Sequence, residues 1–123
     1  MSGQLFNLSN TILYCRRWAE TVEFYRRVLG LPVSVEKDWF VEFQLTERSF
    51  VSIADARRAS IESAAGQGVT LTLQVNDVHA VRAELEESGV DPGPVKLHPW
   101  GALGFFCRDP EGYRLEFWQP TDA

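Results

Sequence analysis

One hydrophobic pattern occurs twice along this chain, and that doubling constrains its fold more than any other feature. Residues 10–15 (NTILYC) alternate as a half-buried strand. Residues 18–29 (WAETVEFYRRVL) place Trp18, Val22, Tyr25 and Leu29 on one helical stripe, and Gly30 supplies the stop. A strand from Pro32 to Glu36 follows, and strands at 39–45 and 49–54 flank the charged turn Glu47-Arg48. After a polar, Ala-rich stretch at 55–67 the order returns. Residues 69–75 alternate, and Asn76 or Asp77 can cap a helix striped by Val78, Val81 and Leu85 that ends at Gly89. Strands near 95–98, 103–107 and 113–119 complete the chain, separated by Pro/Gly turns at 91–94 and 109–112.

Both halves therefore read strand, helix, glycine, three strands, and the two stop glycines lie 59 residues apart. Two copies are too few for a solenoid. A duplicated βαβββ unit is the expectation: module 1 about 9–54, a linker 55–67 and module 2 about 68–120. At 123 residues the chain has room for one domain, 1–123, built from both modules.

Successive strand residues face opposite sides of a sheet. One parity collects Leu13, Cys15, Val51, Ile53, Leu71, Leu73, Leu115 and Phe117, an apolar face suited to packing under the helices. The other collects Asn10, Ile12, Tyr14, Phe50, Ser52, Thr70, Thr72, Gln74, Arg114, Glu116 and Trp118. That second face is too polar for a dry core and too aromatic for an idle surface. It suits either a solvated sheet face or the wall of a ligand cavity.

Composition removes several function classes. The net charge is −5, which disfavours nucleic acid as a partner because phosphates demand clustered Lys and Arg. No apolar run approaches the ~18 residues of a membrane span. The opening Met1-Ser2-Gly3-Gln4 has no basic region of a leader, so a cytoplasmic protein is expected. Cys15 and Cys107 form neither a disulfide framework nor a zinc motif. Only two histidines are present, His79 and His98, whereas aromatics reach 12%.

Three strings, FYRRVLGL (24–31), PWG (99–101) and DPEGYRLEFWQP (109–120), accompany the doubled order. Together they resemble the glyoxalase/bleomycin resistance protein/extradiol dioxygenase group, the vicinal oxygen chelate superfamily, over about 9–120. The resemblance implies an α+β fold in which two βαβββ modules form a cup-shaped mixed sheet. It also implies a divalent metal in the metal-dependent members. Carried over one at a time, the metal positions fall at Asn10, Ser52, Thr70 and Glu116, all on the polar parity. Arg16-Arg17 stands where relatives carry a helix-capping Asp, so the first helix is expected to lack that cap.

A catalytic divalent site needs about three good protein ligands. Glu116 is the one strong ligand here; an amide and two hydroxyls would hold a hard ion only weakly. No cofactor and no metal site are therefore expected. Glu116 can pair with Arg114 or another cation, can bind a donor group on a ligand, or can act as a general base. His98, beside Pro99 and Trp100, could reach a cavity mouth, although a lone histidine is more commonly structural; His79 is expected to face solvent.

The preferred expectation is a metal-independent binder of a small, partly aromatic organic molecule. Its site would be lined by Asn10, Tyr14, Phe50, Ser52, Thr70, Thr72, Glu116 and Trp118, with Trp39 and Trp100 at the rim. The alternative is a metal-dependent or acid–base lyase, isomerase or dioxygenase using Glu116 as the catalytic residue. A third class is an interaction domain whose aromatic face is a dimer interface, and a homodimer is expected in any case from the resemblance.

Overall fold

The computed structural model describes residues 5–121. Residues 1–4, read above as no leader, lie outside the described residues, as do the last two. The observed order is β1 (Ser9–Cys15), α1 (Trp18–Glu23), β2 (Val33–Lys37), β3 (Phe40–Thr46) and β4 (Ser49–Asp55), then β5 (Thr70–Gln74), α2 (Val78–Glu87), β6 (Lys96–His98), β7 (Ala102–Arg108) and β8 (Arg114–Pro120). This is the α+β arrangement that the periodicity implied, with boundaries within two residues of those expected except in the first helix. The chain divides after residue 65 into two compact units, each carrying one four-stranded mixed sheet.

In the first unit the strand order is β1-β4-β3-β2. The helix carries the chain across to the far edge, and two hairpins bring it back until β4 lies parallel to β1. Leu13, Cys15, Val41, Phe43, Val51 and Ile53 are buried on the apolar parity beneath Val22 and Tyr25. The α1 start has no side-chain cap, as expected from Arg17. Arg17 instead pairs with Glu20, and the Thr21 hydroxyl donates to the Arg17 carbonyl at 2.7 Å.

One expectation needs correction. Residues 18–29 are not a single α-helix, because α1 passes at Phe24 into a π-helical turn, Phe24–Val28. The Leu29 N–H reaches back to the Phe24 carbonyl at 3.0 Å, one residue further than an α-helix allows. The wider turn lets both Phe24 and Tyr25 enter the core, where a strict 3.6-residue stripe would bury Tyr25 alone. Their rings meet edge to face, and Tyr25 continues onto Phe43.

In the second unit the order is β5-β8-β7-β6. Asp77 caps α2 by accepting from the amides of His79 and Ala80, both at 3.1 Å. Val78 and Leu85 bury the helix stripe, while Phe105 and Phe117 stack across β7 and β8 at 5.3 Å between centroids. The 109–112 turn is tied by Asp109, whose Oδ1 accepts from the amides of Glu111, Gly112 and Tyr113 at 2.9–3.0 Å. Gly66 (φ +83°) rests against this turn so closely that a Cβ would stand 2.0 Å from the Gly112 carbonyl oxygen. No helix among the described residues is long and apolar enough to cross a membrane.

Candidate functional site

Register organises the polar face of the second sheet into rows. Arg108, Arg114 and Thr70 are paired across β7, β8 and β5; Phe106, Glu116 and Thr72 form the next row, and Gly104, Trp118 and Gln74 the third. β6 adds Lys96 opposite Gly104 and His98 opposite Ala102. Rows on one face are spaced by two residues, about 6.8 Å.

His98 leaves its own row. Its Nε2 lies 3.1 Å from Glu116 Oε2, although Ala102, the residue opposite His98, is two rows away from Phe106, the residue opposite Glu116. Gly104 permits this reach, since a Cβ there would meet His98 Nε2 at 3.0 Å and Cδ2 at 3.4 Å. Nε2 is buried yet makes no aligned hydrogen bond, so it touches the carboxylate without a linear N–H···O bond. The imidazole stacks on Trp100 at 5.4 Å and 11°, and Phe106 meets it edge-on at 6.4 Å. Trp100 in turn meets Trp118 edge to face at 5.3 Å. A nearly buried carboxylate and an imidazole are thus held among three aromatic rings, while Trp100 remains 61% exposed.

Sequence reasoning named Glu116, Trp100 and Trp118 but left His98 outside the site. The side chain beside Glu116 is His98, not Arg114. Arg114 is occupied elsewhere: its guanidinium lies 4.5 Å above the Phe106 ring centre, and its Nε donates to Thr70 Oγ1 at 3.0 Å. Thr72, opposite Glu116, is exposed. His79 is exposed, as expected.

On the first sheet, Ser52 is fully buried and its hydroxyl donates to Asn10 Oδ1 at 2.8 Å. Asn10 itself is exposed and pairs in register with half-buried Phe50. Tyr14 is half-buried at the opposite end of β1, four residues or about 13 Å along the strand. Trp39 is half-buried against Phe40, and Trp18 is fixed by its Nε1, which donates to the Ile53 carbonyl at 2.8 Å.

The donors at the four metal positions do not fit a catalytic divalent ion. Thr70 Oγ1 already accepts from a guanidinium, a cation that opposes a second cation at the same oxygen. The Asn10 oxygen is engaged by Ser52, and neither residue is an anion or an imidazole. Among the described residues no group of three or more His, Cys, Asp or Glu converges where it could hold an ion.

The family model described as the Glyoxalase/Bleomycin resistance protein/Dioxygenase superfamily matches residues 7–117. No curated protein matches the chain in sequence. Among solved structures, the chain is similar to a glyoxalase/bleomycin resistance protein/dioxygenase from Nocardioides, with TM-score 0.81, 18% identity, and 100% of this chain and 88% of that one covered. It is also similar to TnmS3, an antibiotic binding protein from Streptomyces, at TM-score 0.79 and 20% identity over 98% and 99% of the two chains. A lactoylglutathione lyase from Agrobacterium tumefaciens gives TM-score 0.75 and 20% identity over 91% and 92%. At these identities the structures speak for the fold alone. The family match spans both halves of the doubled pattern, and on that ground the chain belongs to the glyoxalase/bleomycin resistance protein/dioxygenase superfamily.

Proposed function

We propose that the protein binds a small, partly aromatic organic molecule without a metal ion, on the polar faces of its sheets. The observation that carries this reading is the cluster of His98, Glu116, Trp100, Trp118 and Phe106 on the second sheet. Flat indole surfaces offer stacking area, and the carboxylate–imidazole pair offers oriented polar contacts. Thr70 and Thr72 extend this wall; Asn10, Tyr14, Phe50 and Ser52 are the corresponding proposal on the first sheet. The antibiotic-binding description of TnmS3 is consistent with such a role. The proposal includes both modules acting as one domain and a cytoplasmic homodimer. In that dimer a second copy covers exposed apolar side chains such as Phe6, Ile12 and Leu97. Sedimentation equilibrium should return twice the chain mass.

The test is tryptophan fluorescence of chelator-treated protein against a panel of planar aromatic metabolites and antibiotics. A saturable change that weakens about tenfold or more in Glu116→Gln is expected, the size of one lost charged hydrogen bond. No response across the panel would reject the reading, as would a response that needs added divalent metal.

A second reading, an acid–base lyase or isomerase, is favoured by the His98–Glu116 contact itself. A carboxylate held against an imidazole is the arrangement that orients a general base. Mass analysis of any panel compound that binds separates the two readings. An altered product formed by wild type and not by Glu116→Gln identifies an enzyme; unchanged compound identifies a binding protein.

A further inference from the structure

We infer that the second unit carries an oxyanion site at the end of the polar face away from Trp118, in the cavity between the 66–69 loop and Arg108 and Arg114. This site stands whether or not the aromatic ligand proposed above is correct. The cavity measures about 350 Å³ and is lined by Gly66, Gln67, Gly68, Val69, Thr70, Arg108 and Arg114. It holds two cations and no acidic residue.

Three observations converge on an anion. First, Arg108 and Arg114 are direct cross-strand neighbours on one face, an arrangement of like charges that costs stability unless something neutralises it. Second, among the described residues neither guanidinium reaches a carboxylate, although the chain as a whole is acidic. Among the described residues, Arg82 pairs with Glu86, and Glu116 lies against His98. Third, both side chains are held in place by contacts that leave donors unused. Arg108 spends one Nη on the Gly112 carbonyl at 2.7 Å. Arg114 spends its Nε on Thr70 and holds its Cζ over the Phe106 ring. A guanidinium has five N–H donors, and these contacts use one of them in each arginine, which leaves exposed donors on both for a ligand.

The opposite wall is equally fixed. Gly66 is pressed onto the 109–112 turn, the same turn whose Gly112 carbonyl anchors Arg108. Two anchored guanidiniums line one cavity with a glycine loop, and guanidinium is the group that recognises a carboxylate or phosphate through paired N–H···O bonds. The chemistry shared by these ligands is a small oxyanion. It could belong to a phosphorylated or to a carboxylated molecule.

Calorimetric titration of the full chain with inorganic phosphate, and separately with acetate, tests this in Tris-chloride at low ionic strength. Saturable binding of one equivalent of either anion is expected. Tighter phosphate identifies a phosphate-bearing ligand class, and tighter or equal acetate a carboxylate. Arg108→Gln and Arg114→Gln should each weaken binding at least tenfold, whereas Arg48→Gln, an exposed arginine on the first unit, should leave it unchanged. Because Arg114 also holds Thr70, thermal unfolding of wild type gives a variant-free check. Phosphate should raise the midpoint above that in chloride of matched ionic strength. Absence of saturable binding by both anions overturns the inference. Equal weakening by Arg48→Gln, or a midpoint that responds only to ionic strength, does the same.

Discussion

With only hydrogen on its Cα, Gly104 leaves space over β7 for the His98 ring to reach Glu116. A methyl group there would stand 3.0 Å from Nε2 and 3.2 Å from the Phe117 carbonyl oxygen. The carbonyl belongs to the ladder of β8 and cannot yield, so the imidazole must. Gly104→Ala should therefore separate His98 from Glu116 and cost about 1–3 kcal/mol, the usual penalty for crowding a packed site. Imidazole ¹⁵N shifts and a thermal melt report the two effects. Unchanged His98 shifts in the variant would show that Gly104 does not control the reach. The same residue explains why His98 escaped the sequence reading. Parity assigns it to the polar face, but its contact spans two rows of a register that only the assembled β6-β7-β8 ladder defines.

At the level of elements, the DPEG turn is held by one carboxylate oxygen accepting three amides within a buried corner. Asp109→Ala should cost about 3 kcal/mol, since buried amides lose a charged acceptor, and Asp109→Asn should cost less because its amide oxygen can still accept. Chemical denaturation of both variants checks the order; equal losses would mean that the turn amides do not depend on this oxygen. The strands, α2 and its Asp77 cap were legible because period-two alternation and capping chemistry act within a few residues. The π-helical turn was not. Its one extra residue shifts the buried stripe from Tyr25 alone to Phe24 with Tyr25, and packing in the first unit, rather than local propensity, selects it. Parity set Asn10, Ser52, Thr70 and Glu116 on one face of their strands, as the register has them, and their part in a site is the proposal above. The partner of Glu116 was not legible: Arg114 is captured by Phe106 and Thr70, which leaves Glu116 to His98.

For the molecule as a whole, the acidic balance makes stability depend on how its carboxylates are held. Asp55 is nearly buried at the end of β4 and bonded to the Arg57 guanidinium at 3.1 Å. That hydrogen bond holds its carboxyl below the ordinary aspartate range, against the opposing effect of burial. Its contribution is then present in full above about pH 4 and disappears as pH falls through the lower folded value. Asp55→Asn keeps an oxygen for the Arg57 amide but removes the titration. The variant should lose less stability than wild type as pH falls below about 4, as thermal melts on both sides of that pH would show; identical slopes would assign the acid sensitivity to other carboxylates.

An aromatic molecule that binds without a metal, as proposed above, would meet Trp100 and Trp118 on the polar face of the second sheet. The four tryptophans of the chain give four indole N–H signals, and their environments differ. Trp18 is locked to the Ile53 carbonyl, whereas Trp100 is largely exposed against Trp118. The most direct measurement is a ¹H–¹⁵N titration of chelator-treated protein with whichever panel compound quenches fluorescence most strongly. Saturable shifts are expected at Trp100 and Trp118, with Trp18 stationary. Shifts that spare Trp100 and Trp118, or that appear only after a divalent ion is added, would contradict the proposal.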